Sequence, residues 1–281
     1  MAITSFIPEV WNAQLQTDFS EQVVAVALAN REYEGNASSG NTVRINTAGA
    51  ITVKDYKTGV SGQGARTTAP DAVDTTSEDL VINQEKSFDF YVDDIDRAQA
   101  AGTMDAFTRN AGEGLAQDAD TYLLNLLAAS VHADNVLDGT APTTGDAAYT
   151  IILNMRKALN LKKVPKAQRV LFVNSEFEAL LLGADSKLTS VDKSGSPAGL
   201  REATIGRILG FDVVTTDNLP ETDAPQAVAV YTPLMAYVSQ IEKTEAMRAQ
   251  DKFADRLRGL HVYGAKVLRG GIGVARFTAT A

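Results

Sequence analysis

Residues 103–130 restrict the fold more than any other stretch of this chain. Met104, Phe107, Ala111, Leu115, Ala119, Tyr122, Leu126 and Ala129 recur at steps of three or four, the spacing of one apolar helix face. Asp105 stands in the first turn, where a carboxylate suits the helix dipole. At ~1.5 Å per residue such a helix is roughly 40 Å long. Gly112 and Gly114 lie inside it, each costing about 1 kcal/mol relative to Ala, so a bend or a close contact is expected there. The other side carries Asp105, Glu113, Asp118 and Asp120 against Arg109 alone. Two readings follow: a core helix with a solvated acidic face, or a spine on which a sheet and other subunits are laid.

A long strand is read just before it. Leu80, Ile82, Phe88, Phe90 and Val92 share one parity, while Glu85, Ser87, Asp89, Tyr91 and Asp93 share the other. Period-two alternation marks a half-buried strand. Carried from Leu80 to Asp93 it would span about 43 Å, where strands usually stop at roughly ten residues. A long strand leading into a long helix suggests an elongated, slab-like α+β body.

Composition narrows the function. With 281 residues the chain can hold one large or two ordinary cores. No apolar run approaches the roughly 18 residues needed to cross a membrane, and the opening Met1–Thr4 has no basic region of a signal peptide. Cysteine is absent, which removes disulfides, thiolate metal sites and Cys nucleophiles. The net charge of −9 is uneven: residues 1–140 hold 21 acids and 8 bases, and residues 141–281 hold 14 acids and 18 bases. An acidic front could meet a basic back within one chain or between neighbours, and the second case predicts salt-sensitive assembly. An acidic total argues against a dedicated nucleic-acid binder.

Taken in order, Pro8 and Glu9 open a helix with Trp11, Leu15, Phe19, Val23 and Val26 inward, ending near Asn30. It either packs on its own core or lies on a neighbour. Residues 42–47 and 51–56 read as short strands. Residues 57–76 read as a long hairpin tip, because Gly59, Gly62 and Gly64 lack the Lys-Ser/Thr pair of a phosphate loop. A helix is expected over 147–160 with Tyr149, Ile152, Met155 and Leu159 inward. The bases Arg156, Lys157, Lys162, Lys163, Lys166 and Arg169 then follow without an acid. Residues 170–173 are a buried strand, and Ser175 with Glu178 forms a capping box for a helix closed at Gly183 by a left-handed cap. Residues 211–215 and 227–231 are further strands, so about 140–235 reads as a mixed α/β module. Residues 236–241, 261–268 and 272–279 return to strands around a charged segment, 242–258, and would complete the sheet begun at Leu80.

Catalytic chemistry is hard to find. His132 and His261 are far apart and neither has a partner at metal-ligand spacing. No Gly-x-Ser-x-Gly elbow occurs. Asp93, Asp94 and Asp96 lack the Gly and distal Glu of a calcium loop.

Three stretches carry a resemblance. These are Ile205–Val213 with Asp217-Asn218-Leu219-Pro220, Phe253–Lys266, and the opening Phe6–Trp11 with Val43-Arg44-Ile45-Asn46 downstream. They resemble, in order and over nearly the whole chain, major capsid proteins of tailed bacteriophages, closest to the P22-coat-like branch. The resemblance implies the Hong Kong 97-type capsid fold. Its parts would be an N-terminal arm at 1–40, an extended loop at 48–82, a peripheral domain at 41–47, 83–139 and 236–281, and an axial domain at 140–235. It implies a non-enzymatic coat protein, without cofactor or metal, that self-assembles as pentamers and hexamers into an icosahedral head around double-stranded DNA. The DNA would be held without sequence-specific contacts. A separate scaffolding protein, a portal and a decoration protein are implied partners, and no membrane is. The location implied is the virion, with assembly in the bacterial host cytoplasm. Residues expected at subunit interfaces are Trp11, Leu15, Phe19, Lys54, Lys57, Arg66, Lys162, Lys163, Lys166, Arg256 and Arg258. The chain is short for the large inserted domain of some P22-like coats, and it begins directly with the arm, so a separate scaffolding protein, or an already processed chain, is expected. An encapsulin-type compartment shell would share the fold, and a soluble α/β enzyme is the remaining alternative.

Overall fold

A computed structural model describes residues 23–34, 40–49, 51–56, 66, 70, 72, 75–94, 105–183, 206–220, 223–249 and 252–280. The arm residues Trp11, Leu15 and Phe19, and Lys57 of the hairpin tip, lie outside the described residues.

The spine is one helix, α2 (Asp105–Ala129), preceded by a single turn, α1 (Ala25–Leu28). Its buried apolar positions are Ala119, Leu123, Leu124, Leu127 and Ala128, a face rotated from the predicted one, so that Ala129 is exposed and Tyr122 and Leu126 are half-buried. A fully buried Leu is worth about 1.5–3 kcal/mol, so the three leucines fix which face turns inward. Neither Gly112 nor Gly114 marks a close approach, since a Cβ at either would meet nothing within 4 Å.

Beside the spine lies a six-stranded mixed sheet in the order β4-β11-β8-β5-β7-β6. Its strands are β4 (Gly139–Thr140), β5 (Arg169–Val173), β6 (Arg207–Ile208), β7 (Phe211–Thr215), β8 (Gln226–Tyr231) and β11 (Val274–Thr280). Period-two alternation splits its side chains between two cores. Val170, Phe172, Val228, Val230 and Val274 face the spine leucines. Leu171, Val173, Ala227, Ala229, Ala275 and Phe277 face α3 (Gly145–Leu161) and α4 (Ser175–Leu182), through Ile152, Met155, Leu159, Phe177 and Leu181. With both faces covered, β5 and β8 read as continuous apolar runs.

The terminal strand corrects one expectation. β11 pairs with β8 and β4, not with the sheet that contains residues 84–93. Only β9 (Met235–Arg248) and β10 (Ala254–Val267) join β3 (Gln84–Asp93), in the order β3-β10-β9. The charged segment 242–258 is not a separator: it continues β9 and β10 into a ribbon of 14-residue strands, about 45 Å long.

The predicted run from Leu80 to Asp93 divides. β2 (Thr75–Val81) pairs antiparallel with β1 (Thr42–Ala48), while β3 pairs with β10, the parity of burial being kept across the break. The chain changes sheets where it crosses β10 at Gly264. A Cβ there would stand 2.5 Å from the Val81 carbonyl oxygen and 2.8 Å from the Ile82 Cα. Residues 51–56 form no strand, leaving Ile51 and Val53 76% and 97% exposed.

Local signals were read with mixed success. Thr144 caps α3 by accepting from the Ala147 amide at 3.2 Å. The cap of α4 is Asn174, which accepts from Phe177 N at 3.1 Å, not Ser175. Asn is at least as good a cap as Ser, and Ser175 is held elsewhere, its amide and hydroxyl both donating to the Asp217 carboxylate at 2.8 and 2.6 Å. Gly183 is extended, with φ −59° and ψ 157°, so the left-handed cap is not formed. Leu209 and Gly210, at φ 48° and 81°, make the two-residue turn from β6 to β7, with the positive φ values that such hairpins need. Arg156 donates to the Leu209 carbonyl at 2.8 Å and clamps that turn to α3.

Candidate assembly surfaces and latches

Asp120, read from the sequence as part of a solvated acidic face, is fully buried. Its Oδ1 accepts the backbone N–H groups of Val24, Ala25 and Val26 at 3.1, 2.7 and 3.0 Å. The first N–H groups of a helix have no intrahelical partner, and here a carboxylate from another helix satisfies them. Asn218 Nδ2 lies 3.4 Å from Oδ2. One side chain thus ties residues 24–26 to the spine and to the Asp217–Pro220 turn. The signal was present: 120, 123, 124 and 127 are spaced i, i+3, i+4, i+7, which puts the aspartate on the leucine face.

A second buried charge was also missed. Arg169, grouped above with exposed bases, is 2% exposed. Its guanidinium donates to the carbonyls of Pro165 and Val164, both at 2.7 Å, and to Asn160 Oδ1 at 2.9 Å. Burial lowers its pKa from the usual arginine range. It fastens the first residue of β5 to the loop that follows α3.

Among the described residues, four ion pairs join the acidic front to the basic back. Arg256 pairs with Asp89, Arg248 with Asp94, Lys162 with Asp134 and Arg276 with Asp138, each joining the two halves of the sequence. Arg258 pairs with Glu245 at 2.6 Å, directly across β9 and β10. Hydrogen bonds from Arg44, Arg256, Arg258 and Lys162 hold Asp79, Asp89, Glu245 and Asp134, respectively, below the usual carboxylate range. These pairs are exposed, so each is worth little alone. They nonetheless engage Lys162, Arg256 and Arg258 inside one subunit.

The remaining predicted interface residues are scattered. Lys54 and Arg66 are exposed in the segment between β1 and β2. Lys163 and Lys166 are exposed beyond the end of α3. Exposed apolar groups include Ile51, Val53 and Tyr56 after β1, Leu161 at the end of α3, and Phe253, Met247 and Tyr91 at the far end of the ribbon. There Lys252 and Arg256 lie 4.9 and 5.5 Å from the Tyr91 ring centre.

The two histidines are apart and serve local structure. His132 accepts from the Asp134 amide at 3.3 Å, and buried His261 lies within 3.4 Å of the Tyr237 hydroxyl and 3.3 Å of Ser239 Oγ. Tyr263 donates to Asp118 at 2.7 Å, and burial, with that bond, raises its pKa. Among the described residues no three His, Asp or Glu side chains are grouped to hold a metal ion. No described helix is long and apolar enough to cross a membrane.

Comparison with known proteins places this architecture. The family model for phage capsid proteins matches residues 75–277. A solved structure of Mycobacterium phage Che8 is 47% identical, with TM-score 0.87 over 98% of both chains. The capsid of cyanophage P-SCSP1u aligns at TM-score 0.82 over 100% of this chain and 95% of its own, with 13% identity. The mature capsid of bacteriophage PhiM1 aligns at 0.74 over 98% and 92%, with 15% identity. Among curated proteins none matches. A spine helix, a long ribbon and a sandwiched mixed sheet, with a family match over more than half its length, show that the chain belongs to the phage capsid protein family: it is a major capsid protein of Hong Kong 97-type fold, which forms the icosahedral head of the virion.

Proposed function

We propose that the shell encloses double-stranded DNA through shape and bulk electrostatics, without base recognition and without catalysis. The net charge of −9 supports this, since a surface that gripped phosphates would need a basic excess. The internal pairing of Arg248, Arg256, Arg258 and Arg276 supports it too. In this reading residues 1–40 act as an arm and 48–82 as an extended loop. Residues 41–47, 83–139 and 236–281 form a peripheral domain, and 140–235 an axial one, to which β11 adds a strand. Subunit contacts are then made by Trp11, Leu15 and Phe19 in the arm and by Lys54, Lys57 and Arg66 in the loop. Arg256, Arg258 and Lys162 stiffen the subunit through their internal pairs. Assembly takes place in the host cytoplasm, with a scaffolding protein and a portal.

The observation that carries the reading is the near full-length likeness to Mycobacterium phage Che8 at 47% identity. Electron microscopy of particles from infected cells, with nuclease-protected nucleic acid measured, tests it. Angular shells holding protected duplex DNA are the expected result. Small shells filled with protein would instead support an encapsulin-type compartment.

A further inference from the structure

We propose that the trough between the free edge of β1 and the end of α3 is a docking site for an extended, acidic peptide carried by a protein other than this one. The trough is a cavity of about 640 Å³, within the range of sites that take ligands. One wall is β1 itself, where four consecutive residues, Ile45 to Ala48, line it. Consecutive residues can line a cavity together only when the strand's edge, rather than one face, borders it. Among the described residues β1 pairs with β2 alone. Alternate N–H and C=O groups along its other side are therefore turned toward the trough.

Native proteins blunt such edges with Pro, with Lys or with a bulge. β1 reads Thr-Val-Arg-Ile-Asn-Thr-Ala, with none of these. Its one charge, Arg44, is engaged by Asp79 at 3.0 Å. An unprotected edge beside a cavity is the template that strand addition uses.

The opposite wall sets the partner's charge. The lining includes Lys162, Lys163 and Arg269 against Glu32 alone. Lys162 is shared with Asp134, while the Lys163 and Arg269 side chains form no ion pair with any described residue. Both sit in the left-handed backbone region, at φ 58° and 56°, which is unusual for residues with a Cβ. Lys166 adds a further exposed cation nearby. Leu234 and Leu268 give the floor an apolar character. The chemistry recognised is a strand whose main chain pairs with β1, whose carboxylates reach the cations, and whose alternate apolar side chains meet the floor.

A second copy of the chain is a weaker candidate. The nearby described carboxylates are engaged at home: Asp79 by Arg44, Glu78 by the Arg269 amide at 3.0 Å, Asp134 by Lys162 and Asp138 by Arg276. Duplex DNA fits less well, because a concave trough with an apolar floor does not follow a regular phosphate backbone.

The test uses the full-length unassembled subunit and a labelled ten-residue peptide alternating Val with Asp, followed by fluorescence polarisation. Binding is expected, weakening as salt rises. The same peptide N-methylated at alternate residues keeps its charge but cannot add as a strand, and should bind at least tenfold more weakly. Lys163→Asn with Arg269→Asn should weaken the unmethylated peptide about tenfold; Asn tolerates positive φ, so the variant keeps its fold, as circular dichroism would verify. No binding, or binding indifferent to methylation and to the variant, overturns the proposal. Stronger, variant-sensitive binding of a 20-base-pair duplex would make the trough a nucleic-acid contact instead. Equal binding of a peptide spanning residues 70–79 of this chain would make a second copy the occupant.

Discussion

Replacing Asp120 by Ala should release residues 24–28 from the spine before it unfolds the subunit. The aspartate is completely buried and accepts three N–H groups through one oxygen. A hydrogen bond to a charged group contributes about 1.5–3 kcal/mol, so three would sum to as much as roughly 9 kcal/mol if independent. They are not independent: they share an acceptor, and truncation also removes the desolvation cost of the carboxylate. A net loss of about 3–5 kcal/mol is the better figure, as for breaking a buried charged contact. The apolar part of the attachment is small, since Ala25 and Val26 are the buried residues of α1. Asn30 is held separately, its amide donating to the Met235 carbonyl at 2.8 Å and its carbonyl accepting from the Tyr237 amide at 3.0 Å, so the latch governs residues 24–28. Amide exchange at residues 24–28 should accelerate by two to three orders of magnitude, at about tenfold per 1.4 kcal/mol. The melting temperature should fall by no more than several degrees, because the sandwiched sheet is untouched. Asp120→Asn, with a neutral acceptor about half as strong, should fall between. Exchange mass spectrometry on unassembled subunit decides it. Unchanged exchange at 24–28 in Asp120→Ala, with the rest of the chain native, would refute the latch.

Other consequences can be measured directly. Gly264→Ala should cost several kcal/mol and yield insoluble protein, because its Cβ would strike the backbone of Val81 and Ile82; soluble expression and a melt would show it. Gly259→Ala meets instead the Phe88 ring, at 2.3 Å, so a loss of about 1–3 kcal/mol should be largely recovered in Gly259→Ala with Phe88→Leu, by a double-mutant cycle. The depressed carboxylates Asp79, Asp89, Asp134 and Glu245 favour the fold above their unfolded values near pH 4, and that contribution disappears as pH falls through their lower folded values. Melts should accordingly show little change from these groups between pH 5 and 8 and a loss below about 4. Trp11→Ala should abolish shell formation by light scattering while circular dichroism of the subunit is unchanged; an unfolded variant would place that helix in its own core.

Apolar patterning marks elements in sequence because one face of each must leave water, though it also marks residues 51–56, which form no strand. It located the spine, β3, α3, β5, β7 and β8, and the resemblance in three stretches reached the family. Tertiary structure decided which strands share a sheet. β11 alternates equally well for either sheet, and only packing between β4 and β8 chose. It also decided where the run 80–93 changes partner, since nothing local marks Gly264 as the crossing point. The charged residues moved furthest from their sequence reading. Asp120 shows its burial only by its place on the leucine face, and the N–H groups that satisfy it come from a segment distant in sequence; Arg169 looks like a surface group in any window, yet the loop after α3 folds its carbonyls back onto it. The imbalance between acidic and basic halves is visible by counting. Whether it closes within a chain or between chains depends on register, and β9, β10 and β3 bring Glu245, Arg258, Arg256 and Asp89 together in one subunit. Composition fixes how many charges a chain must place; three-dimensional proximity alone fixes their partners.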